Sequence, residues 1–158
     1  MSEELYDQYL ARMMSLCSKS EKCASDIQQK LSRLDIPEKT THQIIEYLKE
    51  HNFIDHHRYV EAYINDKLRF NQWGKRKIAH ALHAKNIEDS IIQEKLNKID
   101  PQWYDEILKN ALERKLKPGD KLLDAKEKEK IIRYLLQKGF EYGKIFDIIE
   151  ERTNSEQS

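Results

Sequence analysis

Three segments of this chain align without a gap, starting at Ile27, Ile78 and Ile131, and that repeat constrains the fold more than any other feature. Four residues on come Leu31, Leu82 and Leu135; nine on, Ile36, Ile87 and Phe140; fourteen on, Thr41, Ile92 and Ile145; eighteen on, Ile45, Leu96 and Ile149. Eight on, where the first helix of each segment should end, stand Asp35, Asn86 and Gly139. Gly and Asn best tolerate the left-handed conformation that closes a helix, and Asp tolerates it less well. Amphipathic stripes alone would align the apolar positions, but not a shared helix breaker followed by a shared loop hydrophobe. Upstream at the same spacing, Ala11 matches Ala62, while Tyr9 and Met13 fall on Val60 and Ile64. Stacked three-helix repeats bury apolar faces that one repeat could not bury alone.

Apolar residues recur three and four apart almost throughout, and no period-two stretch of strand length survives. The spacing predicts helices at 4–16, 21–34, 37–50, 55–69, 74–84, 88–98, 101–116, 124–138 and 141–152. Ser18 with Glu21, and Asp124 with Glu127, have capping-box spacing, Pro37 suits the first turn of its helix, and Glu113 with Lys117 has i,i+4 support spacing. Only four glycines and three prolines occur in 158 residues, which disfavours turn-rich sandwiches and barrels. The expected fold is all-α: three tandem three-helix repeats in an elongated, curved array, at 1–54, 55–100 and 101–152, with a disordered tail at 153–158. The third repeat carries extra residues around Lys117-Pro118-Gly119-Asp120.

The 28 basic and 28 acidic side chains cancel, yet they are segregated. From Lys67 to Ile87 there is no Asp or Glu, and Lys67, Arg69, Lys75, Arg76, Lys77 and Lys85 stand beside Phe70, Trp73, His80 and His83. Segment charges run −4 for 1–66, +6 for 67–87, −4 for 88–108, +5 for 109–138 and −3 for 139–158. Basic residues beside aromatics suit phosphate-backbone contact, and alternating charge suits a long protein partner with its own charged groove. A solvated helix face is the plainer alternative. Trp73 reads first as a core anchor and second as a stacking platform. The 109–138 zone mixes signs along its helices and points less clearly to a partner.

Several chemistries find no support. The six histidines, including His80 with His83 and His51 with His56-His57, form no HExxH and have no cysteine nearby, so no metal site is expected. Walker A and GxGxxG loops are missing, so neither nucleotide nor other cofactor is expected, and no local pattern points to catalysis. Cys17 and Cys23 read as small buried hydrophobes in helical stripes. With no export signal, the expectation is a cytoplasmic chain with reduced thiols and no membrane partner.

The stretch Asn52-Phe53-Ile54-Asp55-His56-His57-Arg58-Tyr59-Val60-Glu61-Ala62-Tyr63, then Trp73-Gly74-Lys75-Arg76-Lys77-Ile78, then Leu82 and Lys85-Asn86-Ile87, resembles the RecX family. The resemblance covers about residues 5–150 and weakens in the third repeat. His56 departs from the family's pattern, where a second acidic residue is common, as do Asp35 and Asn86, where Gly is usual. What the resemblance implies is a monomeric, non-enzymatic regulator of the RecA recombinase. Such a protein lies in the groove of the RecA filament on single-stranded DNA and inhibits its ATPase and strand exchange. Lys67, Arg69, Lys75, Arg76, Lys77 and Lys85 would make ionic contact with RecA or the DNA backbone. Asp55, Arg58, Tyr59 and Gly74 match family positions with expected structural roles. A stand-alone DNA-binding helical protein and a generic helical interaction scaffold are the alternative readings.

Overall fold

A computed structural model describes residues 1–117, 121 and 124–157. Among them are nine α-helices: α1 (Glu3–Lys19), α2 (Ala24–Ser32), α3 (Glu38–Glu50), α4 (His56–Asp66), α5 (Lys75–Ala84), α6 (Asp89–Asn97), α7 (Pro101–Lys115), α8 (Ala125–Gln137) and α9 (Tyr142–Gln157). A π-helical turn, Lys67–Asn71, follows α4 directly. No described residue lies in a strand.

The helix starts follow ordinary capping chemistry. Ser2 accepts from Leu5 N–H at 3.2 Å, Asp100 from Trp103 N–H at 3.0 Å with Pro101 in the first turn, and Asp124 from Lys126 N–H at 3.1 Å. The repeat is written into the backbone. Asp35, Asn86 and Gly139 all take positive φ, at 55°, 58° and 98°. Each donates its N–H three residues back, to Ser32, His83 and Leu136, at 3.3, 3.0 and 3.0 Å. Apart from the helix-ending Asp35, Asn86 and Gly139, the fifteen positions aligned from Ile27 to Ile149 are all buried, Thr41 among them.

By contacts the chain divides into two compact units, Met1–Tyr63 with Leu82–Ile92, and Ile64–Ala81 with Gln93–Ser158. In the first, α3 packs against α1 and α2 around Met13, Cys17, Ile27, Leu31, Ile36, Ile44, Ile45, Leu48 and Ile54. In the second, α8 packs against α7 and α9, and α7 also meets the π turn. Its largest fully buried side chains include Tyr104 and Phe140, whose rings lie 5.7 Å apart.

Several local expectations are corrected. Ser18 does not cap α2: its hydroxyl turns back to Ser15 C=O at 2.7 Å, because α1 runs on to Lys19. Cys23 holds the capping position, outside any helical stripe, and its N–H donates to Asp26 at 3.2 Å. Pro37 sits one residue before α3 with extended ψ, its carbonyl accepting from Thr41 N–H. Glu113 also meets Arg152 of α9, a partner that local spacing does not announce. The tail expected to be disordered from 153 continues α9 to Gln157, with Thr153 buried and its hydroxyl donating to Ile149 C=O at 2.8 Å. Of the expected extra residues, Pro118, Gly119 and Asp120 lie outside the described residues.

Candidate functional site

The acid-free window contains a break in helical geometry. Ile64 and Leu68, one helical turn apart, are both buried. The π turn then widens the coil, and Lys67 C=O accepts from Gln72 N–H and from Trp73 N–H, the latter at 3.1 Å. Gln72 closes the turn in the left-handed region, φ 53°, with its side chain buried. Within this turn Phe70 is 76% exposed beside exposed Arg69.

The chain then enters α5 under tight restraint. Gly74 N–H donates to Lys138 C=O at 2.7 Å, Arg76 N–H to Gly139 C=O at 3.0 Å, and Lys75 N–H to the Tyr104 hydroxyl at 2.9 Å, which in turn donates to Glu141. Helix N-termini attract anions through free N–H groups, but those three donors are already engaged. The cations that could meet an anion here are carried on side chains.

Those side chains rest on aromatic rings of the same unit. Lys67 and Lys77 lie 4.7 and 4.5 Å from the Trp73 ring centre, Arg69 lies 5.8 Å from Trp103 and Lys75 4.9 Å from Tyr104. Lys115 and Lys138 share Tyr134, at 4.8 and 5.9 Å. A ring face holds a cation without neutralising it. Among the described residues, Arg69, Lys75, Arg76, Lys77, Arg114, Lys115 and Lys138 form no ion pair with a carboxylate. Burial, and after it the like charges of Lys77 and Arg114, pushes the Lys138 amine below the usual lysine range.

The structure thus gathers Lys67, Arg69, Lys75, Arg76 and Lys77, and it places Lys85 in the other unit. There Lys85 donates to Asp26 at 2.8 Å and sits 5.8 Å from the Tyr59 ring. Burial alone would raise Asp26 and lower Lys85, but their mutual bond holds the carboxylate below and the amine above their ordinary ranges. Sequence reading overlooked Arg114, Lys115 and Lys138, which lie in the mixed-sign 109–138 zone. No local spacing marks them: Lys138 comes near Lys77 through the Gly74–Gly139 approach, Arg114 of α7 lies near enough to act on the Lys138 charge, and Lys115 rests on Tyr134 of α8.

The family-matching positions hold the backbone. Asp55 caps α4, accepting from His57 and Arg58 N–H at 2.9 and 3.2 Å. Arg58 grips both Glu21 oxygens at 2.9 and 3.1 Å and Asn52 C=O at 2.9 Å, and Tyr59 is buried. His56 gives its departure from the family pattern a role: one ring nitrogen lies 3.2 Å from Ala24 N–H at the start of α2, the other 2.9 Å from Glu88. Cys17 and Cys23 are free and buried, and burial raises both thiols. Among the described residues no cluster of three or more His, Cys, Asp or Glu could hold a metal ion, and no helix is long and apolar enough to cross a membrane.

These features define an all-α protein with repeated three-helix signatures and a cation-rich, carboxylate-poor surface. Residues 55–96 match the family description "RecX, second three-helix domain", and residues 104–149 match "RecX, third three-helix domain". The chain is 35% identical over 155 residues to regulatory protein RecX of Clostridium acetobutylicum, covering 92% of this chain and 70% of that protein. The chain belongs to the RecX family of regulatory proteins. It is also 33% identical over 143 residues to regulatory protein RecX of Clostridium perfringens, spanning 87% of this chain and 65% of that relative. A solved structure of RecX from Lactobacillus salivarius aligns with TM-score 0.74 at 25% identity, over 92% of this chain and 95% of that one. A crystal structure of regulatory protein RecX aligns with TM-score 0.77 at 24% identity, over 92% and 71%.

Proposed function

We propose that this protein binds the filament of RecA on single-stranded DNA and inhibits its ATPase and strand exchange, acting as a regulator of recombinational DNA repair. Family membership supports the choice of partner. The observation that carries the site is the gathering of Arg69, Lys75 and Lys77 on aromatic faces, with exposed Arg76 beside them in the chain and none of the four ion-paired to a carboxylate among the described residues. Ring-held cations keep their full charge and lose little side-chain freedom on meeting an acidic partner. Occupying the filament groove would exclude an incoming duplex and hinder the rearrangements that accompany turnover. The repeats at 1–54, 55–100 and 101–152 are the units of engagement, and the protein acts as a cytoplasmic monomer without cofactor. Lys85 contributes by fixing Asp26 and Tyr59 rather than by direct contact.

The test follows ATP hydrolysis by RecA on single-stranded DNA as the protein is added. Suppression near one protein per few RecA protomers supports the reading. Unaltered hydrolysis at stoichiometric amounts contradicts it, and tight, steeply salt-dependent binding to bare DNA in that case would favour a stand-alone DNA-binding protein.

A further inference from the structure

The π turn displays one large apolar side chain among these cations. Phe70 is 76% exposed, two residues past fully buried Leu68, so its phenyl ring lies on the side of the turn away from the core. Arg69 and Arg76 are exposed nearby in sequence and form no ion pair among the described residues.

Two kinds of partner could use an exposed ring among cations. Single-strand binders stack successive bases on several open aromatic faces. The other rings of this surface are not open in that way: Trp73 and Trp103 are half-buried and hold the protein's own lysines and arginine, and Tyr104 is buried. One exposed aromatic side chain flanked in the chain by an exposed arginine that forms no ion pair among the described residues instead suits a protein-interface anchor, an apolar centre with charge at its edge.

We propose that Phe70 is an apolar anchor that inserts into a cleft on a protein partner whose rim carries carboxylates, with Arg69 and Arg76 pairing to that rim. This rests on the reading that the partner is the RecA filament, and it assigns the contact to protein rather than to DNA bases.

The test compares wild type, Phe70→Ala and Phe70→Leu for binding to preformed RecA filaments on single-stranded DNA and to bare oligothymidylate, with circular dichroism melting as the folding control. Phe70→Ala should weaken filament binding roughly tenfold or more. Phe70→Leu should retain part of the affinity, and binding to oligothymidylate and the melting temperature should not move. Unchanged filament binding by Phe70→Ala, with wild type binding normally, overturns the anchor alone. An equal fold-loss on oligothymidylate overturns it in favour of base stacking. A wild-type protein that does not bind filaments overturns both the anchor and the function proposed above.

Discussion

Gly74 and Gly139 lie backbone against backbone: a Cβ on Gly74 would fall 2.3 Å from Gly139 C and 2.3 Å from Phe140 N, and a Cβ on Gly139 would fall 2.4 Å from Lys77 Cβ. The pair is clamped by the bonds from Gly74 N–H to Lys138 C=O and from Arg76 N–H to Gly139 C=O. This approach joins the start of α5 to the end of α8 and so sets Lys77 and Lys138 on one surface.

Gly74→Ala is therefore expected to destabilise the protein by about 1–3 kcal/mol, the range for forcing atoms into filled space, because the opposing atoms are backbone. Chemical denaturation measures it. Since Gly143 has open space where its Cβ would stand, Gly143→Ala in α9 should be neutral or slightly stabilising.

Asp35 offers the opposite sign. It holds φ 55°, a conformation that costs most residues roughly 1 kcal/mol or more and glycine almost nothing. Asp35→Gly is expected to stabilise by up to about 1 kcal/mol, and Asn86→Gly by less, since Asn tolerates that region better than Asp. Thermal melting at neutral pH checks both, and a loss of stability in both variants would contradict this account of the repeat's helix ends.

The Asp26–Lys85 pair sets a pH window. The Asp26 carboxyl is held below its ordinary range, so its contribution is complete above the usual carboxylate pKa near 4 and is lost as pH falls through the lower folded value. The Lys85 amine is held above its ordinary range, so its contribution is complete below about 10.4 and is lost as pH rises through the folded value. The pair's own contribution should be flat in between. Asp26→Asn should cost about 1–2 kcal/mol at pH 7 and should shrink the difference between pH 7 and pH 3. A wild-type difference left undiminished in Asp26→Asn would remove the pair from this role.

The fold was legible because its signals are local. Stripes at three- and four-residue spacing and the shared position of Asp35, Asn86 and Gly139 gave the helices and their repeat. Residues whose partners lie far along the chain misled it. Ser18 and Glu21 have the right spacing, but Arg58 takes Glu21 from 37 residues away. At the site, the acid-free window named the cations of α5 and the π turn but also swept in Lys85, whose carboxylate partner lies 59 residues away. It left out Lys138, brought in by a close approach of two glycines that no pattern of charge encodes. The π turn was read as the end of a helix, because nothing in Lys67–Asn71 departs from helical spacing until Gln72 turns left-handed.

The central claim, that the α5 cations engage the RecA filament, is tested most directly by replacing Lys75, Arg76 and Lys77 together with Glu and titrating the variant and the wild type into RecA hydrolysing ATP on single-stranded DNA. Charge reversal should leave helicity intact and raise the concentration needed for half-inhibition by at least about tenfold, and the wild type's own half-inhibition concentration should climb with added salt. A triple variant that inhibits as well as the wild type, at the same concentration and salt, would contradict the account.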